Sequence, residues 1–492
     1  MVFGPVTLGD NTTLTTNATS SAGSMILGAV TLGNYTLTLQ TGAVAGADIT
    51  GTTASGLGTL ALQTIGGTAS FSGAVSPATL TVASSVNNAA FTGTASTITN
   101  AVTFSNTGTL TLGQAGGTQT YTGGLIATAP STLTLNGTIN TTNTALTLNA
   151  FTLGSAVTLN ANSSDSTGLI KVGTITGASQ NLTFASGYIS AYSGSSIAIA
   201  SSVNNVALTA ATGTVNHQIT FSNTGTLTLG TAGGTQTYAG GLIATAPSAF
   251  TLNGTLNSNS AAVIIGAVGK TITLGSNVSI NTYADSGAGQ AITLTGAIQG
   301  STANTESLSL YSQGGLINLA GNVGSSIALG TLTLGNGAQT GAITVDGTIN
   351  AQTLTAGASS GSNAFALTLN NGLGVAGTST ITGVSTFYNT GALRLGDYLD
   401  DIFNFSGGVT ALASSGISIA AKQLNTTNAV LTLTRPITFE SNSTISTGSG
   451  QIDLGAITLN AGVTLVLGNS GESGNINLSS ITGTSGSGAV SA

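Results

Sequence analysis

Apolar residues return along this chain as apolar-x-apolar triplets, usually with Thr between and beside them and with Gly or Asn after them. Leu37/Leu39, Leu60/Leu62, Leu80/Val82, Leu110/Leu112, Leu133/Leu135, Leu146/Leu148 and Val157/Leu159 are examples from the first third. Leu182/Phe184, Ile197/Ile199, Leu227/Leu229, Ile272/Leu274, Ile292/Leu294, Leu308/Leu310, Leu367/Leu369, Leu431/Leu433, Ile457/Leu459 and Leu465/Leu467 continue the series. A period of two sends the aliphatic side chains to one face and Thr to the other. Thr, Val and Ile are stiff at χ1 and favour extended backbone. These are therefore short strands with one buried face. No window sustains the i, i+3, i+4, i+7 pattern of a helix, and the residues between triplets are the Gly, Asn and Ser of chain corners. Successive triplets recur at intervals of roughly twenty residues with others between them, which suits a coil of two or three strands per turn.

The strongest repeat is 104–138, FSNTGTLTLGQAGGTQTYTGGLIATAPSTLTLNGT. It returns at 221–255 with four differences: Gln114/Thr231, Thr122/Ala239, Thr132/Ala249 and Leu133/Phe250. A third relative begins at Ser379, where STITGVSTFYNTGALRLG matches STITNAVTFSNTGTLTLG from Ser96, and LNTTNAVLTL from Leu424 matches INTTNTALTL from Ile139. The related segments are 79–168 and 196–287, with a diverged relative near 363–450. A second module runs from Leu8 to Gly42, from Leu153 to Gly187, from Leu274 and from Phe439. The chain begins part-way through one module and stops part-way through another. The expectation is a segment of a longer array, set against a complete chain whose end repeats act as caps.

One-faced strands, Gly/Asn corners and tandem copies predict an all-β fold. Residues 1–492 are expected to form one continuous right-handed parallel β-helix (β-solenoid), a single elongated rod with Leu, Ile and Val stacked as internal ladders. Each buried aliphatic side chain contributes about 1.5–3 kcal/mol, so the total grows with length and needs no ion pair. An array of antiparallel β-sandwich modules is the alternative, but it would show more uniform module boundaries and charged or Pro-rich linkers.

Composition narrows the function. The chain has 492 residues, is 40% hydrophobic and only 3% charged, and has no cysteine. Ordinary soluble domains carry roughly 25% charged residues. Disordered chains are rich in charge and low in hydrophobicity, so this one is not of that class. Five scattered cations against twelve acids give no basic stripe, which argues against nucleic acid. The absence of cysteine removes disulfides, thiol catalysis and cysteine-built zinc sites. With no long apolar span and no ten-residue strands girdled by aromatics, no membrane insertion is expected.

Tandem TLTLG, LNGTI and GxITL-like coils, few charges, no Cys and many Asn/Gly corners resemble the filamentous-haemagglutinin-like exoproteins and autotransporter passenger domains of Gram-negative bacteria. The resemblance covers essentially the whole chain. It implies a right-handed β-helix displayed outside the cell, often for adhesion or aggregation. Neither the N-terminal secretion domain nor the C-terminal membrane barrel of that layout is visible in this sequence.

A polysaccharide-processing solenoid would need clustered carboxylates and cations. Only Arg394, Asp397, Asp400 and Asp401, in LRLGDYLDDIFNFSGG, come close, and they replace the GQAGGTQTYTGG-type text of the other copies. The functional reading is a cation-binding or partner-binding loop, since three acids within five residues offer several oxygens; the plainer reading is a solvated loop with one local ion pair. His217, the single histidine, stands where Asn100 stands in the other copy and reads as a corner residue, not a member of a Ser/His/Asp triad. Tyr121 with Tyr238 and Phe104 with Phe221 read as core. No catalytic residue, metal site or cofactor is expected.

The leading expectation is a non-catalytic structural or adhesive fibre segment, extracellular at a bacterial cell surface. Its partners would be itself, end-to-end or lateral, or other cell-surface molecules. Solenoid ends expose strand edges, and so little charge gives neighbouring copies little repulsion. An ice- or carbohydrate-binding solenoid using a Thr-rich face is the alternative, and a polysaccharide-processing enzyme follows it.

Overall fold

The structure is a computed structural model that describes residues 1–17, 19–163, 165–191, 193–194, 196–484 and 489–491. Its fold is a parallel β-solenoid of about 21 turns. Among the described residues there is no α-helix, so none is long and apolar enough to cross a membrane. The single helical turn among the described residues is a 3₁₀ turn at Ser166–Gly168, capped by the Asp165 side chain. The chain divides into two compact units, Met1–Thr228 and Leu229–Ala492.

In the first unit the expected triplets face inward and stack coil on coil. One internal column runs Leu27, Gly51, Phe71, Phe91, Leu112, Leu135, Leu153, each in register with the next. The step varies from 18 residues, between Leu135 and Leu153, to 24, between Leu27 and Gly51. Slack is taken up at corners and at local irregularities such as that between Leu135 and Gly137, and the inward residues of the column stay aligned. Its aromatic members stack, Phe71 and Phe91 lying 5.8 Å apart at 2°, and elsewhere in the core Phe104 and Tyr121 meet edge-on at 6.3 Å. Gly51 makes room for this, because a Cβ there would stand 2.4 Å from the Phe71 ring.

The second unit repeats the plan with wider variation. Val278, Leu308, Leu332, Leu354, Ser385, Val409, Leu431 and Ile452 form one internal column. The positions just after them point outward and read Ser279, Ser309, Thr333, Thr355, Thr386, Thr410, Thr432, Asp453. With Thr235 paired to Thr255 and Thr255 to Ser279, nine consecutive coils from Thr235 to Thr432 carry a hydroxyl at this place before Asp453 ends the run. A second outward column reads Thr293, Asn318, Thr344, Thr368, Arg394, Ser418, Thr438, Thr458. Steps reach 31 residues, between Thr355 and Thr386, yet the columns stay in register.

The repeated TQTY text has a specific internal job. Gln119 and Tyr121 both point inward; Tyr121 Oη donates to Gln119 Oε1 at 2.8 Å, and Gln119 Nε2 donates to the Phe91 carbonyl at 2.5 Å. In the twin, Tyr238 Oη donates to Gln236 Oε1 at 2.7 Å. Burial pushes both phenols far above their ordinary pKa. Phe104 and Phe221 are likewise fully buried, so the aromatics that recur with the repeat are core.

Candidate interaction site

The third relative departs from the other two at a corner. In the first copy the corner after Leu112 is closed by a bond from Gly117 N to Gln114 O at 2.9 Å, and in the second by Gly234 N to Thr231 O at 3.0 Å. Strand Leu393–Leu395 leads into a corner one residue longer, closed by Asp401 N to Tyr398 O at 3.1 Å. The core beneath changes with it. Phe403 and Phe405 take the inward places of Gln119 and Tyr121, as pairing with Ser379 and Ile381 instead of Ser96 and Ile98 shows. Their rings stack at 5.7 Å and 8°, apolar where the other copies hydrogen-bond.

The four charged residues singled out here do different things. Asp401 is fully buried. Its Oδ1 accepts from Gly377 N at 2.9 Å, and its Oδ2 from Asp397 N and Tyr398 N, both at 3.0 Å. Burial pushes this carboxyl above the ordinary range; the three N–H bonds pull against that, and the Asp397 charge pushes the same way as burial. Asp397 Oδ2 accepts from Gly374 N at 2.9 Å on the preceding coil, while its Oδ1 is buried with no hydrogen-bond partner. Asp400 points out to Lys422, 3.1 Å away. Arg394 joins none of these acids. It passes Ser418, its in-register neighbour, and meets Glu440 at 2.8 Å, beside the next coil. The corner thus holds braces and two separate ion pairs. Among the described residues no three His, Cys, Asp or Glu side chains gather as metal ligands.

The same use of acids extends along the chain. Asp10, Asp48, Asp165, Asp285, Glu306, Asp397, Asp401 and Glu472 each accept from a backbone N–H. Asp346 and Asp453 accept from Asn370 and Asn477 side chains, and Asp400 and Glu440 meet Lys422 and Arg394. All twelve carboxylates of the chain therefore have a partner within it. Glu306 shows the arrangement most fully. Burial would raise its pKa, but bonds from the Ser301 hydroxyl and from the Thr302, Glu306 and Ser301 amides more than offset this, and the carboxyl lies below its ordinary value.

His217 sits half-buried on the first unit, and its Nδ1 lies 3.1 Å from Ser190 Oγ and 3.4 Å from the Ala191 amide. Sequence reasoning missed this contact, since 27 residues separate the two side chains and only the register brings them together.

Stacked parallel coils and acid-braced corners define a β-solenoid repeat protein. No family model, curated relative or solved structure matches the chain.

Proposed function

We propose that this chain is a non-catalytic structural segment of an extracellular fibre at a bacterial cell surface, acting through contact with further copies of itself or with other surface molecules. One observation carries the reading: all twelve carboxylates are bonded inside the chain, eight of them to backbone N–H groups that hold corners in place. Acid–base work on polysaccharide draws on a pair of carboxyl groups open to the substrate, and here the acids serve geometry. The outward columns of Ser and Thr add support. They present hydrogen-bonding groups at the interstrand repeat of about 4.8 Å with little charge to hold neighbours apart.

The test uses the whole chain at rising concentration, followed by light scattering and negative stain, beside binding to bacterial cells. Reversible growth in mass or saturable cell binding is expected. A chain that stays monomeric and binds no cells refutes the reading.

Binding of ice or carbohydrate through a Thr-lined face is a second reading, favoured by the nine-coil hydroxyl column from Thr235 to Thr432. Side-by-side hydroxyl ranks are shorter, as where Thr109 and Thr111 lie over Thr132 and Thr134. Thermal hysteresis or glycan binding lost in Thr333→Val/Thr355→Val is the expected mark of this alternative.

A further inference from the structure

The altered corner carries something its acids do not suggest: four apolar side chains held out in water. Leu373 and Val375 are each 62% exposed, Tyr398 41% and Leu399 67%. They belong to loops on consecutive coils, leaving strands in which Leu369 pairs with Leu395. The acids clamp the loops together. Gly374 N donates to Asp397 and Gly377 N to Asp401, each at 2.9 Å, while Asp401 also binds the Asp397 and Tyr398 amides of its own turn. In the other two copies the same turn reads GQAGG and GTAGG, without one large apolar residue. The exposed crown is on the order of 400 Å², the scale of the largest apolar patch on an ordinary monomer.

We propose that this crown is a contact between two copies of the chain, related by a two-fold axis. Its edge carries Asp400 and Lys422, both more than half exposed and 3.1 Å apart, in a chain with only five cations. An isologous contact sets the same patch against itself. Asp400 of each copy then faces Lys422 of the other, and the rim is self-complementary in charge around an apolar centre. Two crowns together bury about 800 Å², below the roughly 1,200 Å² of stable complexes. The contact is therefore weak and reversible singly, and gains strength where many copies are displayed together. This inference rests on the self-association reading given above and names the surface responsible.

Sedimentation velocity of the whole chain over a wide concentration range tests it. The wild type is expected to show a weight-average sedimentation coefficient that rises with concentration, and Leu373→Ser/Leu399→Ser to need about tenfold more protein for the same rise. Asp400→Lys alone and Lys422→Asp alone each place like charges across the axis and lose association. Mixing those two variants restores it, because each then faces its opposite; a change confined within one chain is not rescued by mixing. If the Leu373→Ser/Leu399→Ser chain associates like the wild type, or mixing restores nothing, the crown is not the contact although self-association stands. A wild type that stays monomeric at every concentration, including one that binds lipid vesicles or glycans through the crown, overturns the contact and the self-association reading together.

Discussion

Replacing Asp401 by Ala isolates what a buried acid does in a solenoid corner. The side chain is fully buried and accepts from the Gly377, Asp397 and Tyr398 amides. Each buried donor left without an acceptor costs about 1–3 kcal/mol. Three amides lose their acceptor together, and with relaxation of the partly exposed turn the net loss is expected to be about 3–5 kcal/mol. Stability in stacked repeats is local, so the loss should appear near 371–402 and not at distant coils. Hydrogen exchange resolved by segment is the assay, with the Gln119–Tyr121 coil as internal reference. The pH trend gives an independent check. A carboxyl raised above its ordinary value, as Asp401 is, contributes stability that is full below the unfolded pKa of about 4. That contribution is lost as pH rises through the folded value. The gap between wild type and Asp401→Ala should therefore narrow from acid toward neutral pH. Unchanged protection at 397–401 in the variant, or a gap that widens as pH rises, would refute the reasoning.

Glu306 should behave in the opposite sense. Its carboxyl lies below the ordinary range, so its contribution is present above the unfolded pKa and lost as pH falls through the folded one; the protection of the Ser301 and Thr302 amides, relative to their intrinsic exchange rates, should fall in acid, and Glu306→Gln should remove most of that dependence. Tyr121→Phe leaves Gln119 Oε1 without its donor and is expected to cost about 1–2 kcal/mol by urea unfolding. Gln119→Leu/Tyr121→Phe should recover much of this, since Phe403 and Phe405 fill the same places in the third relative. At Gly58 an added Cβ would stand 1.9 Å from the Tyr35 carbonyl oxygen, a backbone atom that has no rotamer to escape by; Gly58→Ala should lower stability by about 2–3 kcal/mol, read as a shifted urea midpoint.

The strands were legible because their signal is local. Every inward triplet named from the alternation, from Leu37/Leu39 to Leu465/Leu467, is buried. The aromatic repeats were also read correctly as core. What stayed hidden depends on register. Gln119 breaks the apolar alternation and looks like an outward residue until Tyr121 is seen to need a buried acceptor. Arg394 lies three residues from Asp397 in sequence, yet its partner Glu440 is 46 residues away, because Ser418 is small enough to let the arm pass between coils. Three acids in five residues suggested shared oxygens. Backbone amides of two neighbouring loops claim Asp397 Oδ2 and both oxygens of Asp401, while Asp400 turns to Lys422, and no spacing rule in one sequence displays amides from the neighbouring coil.

The outward hydroxyl column has one more consequence. It holds its line although the chain travels 22 residues between Thr410 and Thr432 and 31 between Thr355 and Thr386. Corner length is thus uncoupled from strand pairing. In most sheets an odd insertion flips a strand inside out; here it becomes a protrusion while the strands above and below keep their faces. Such a scaffold accepts new text at its corners almost without penalty to the rest. A lineage could remodel what the molecule touches, one loop at a time, while inheriting the same interior.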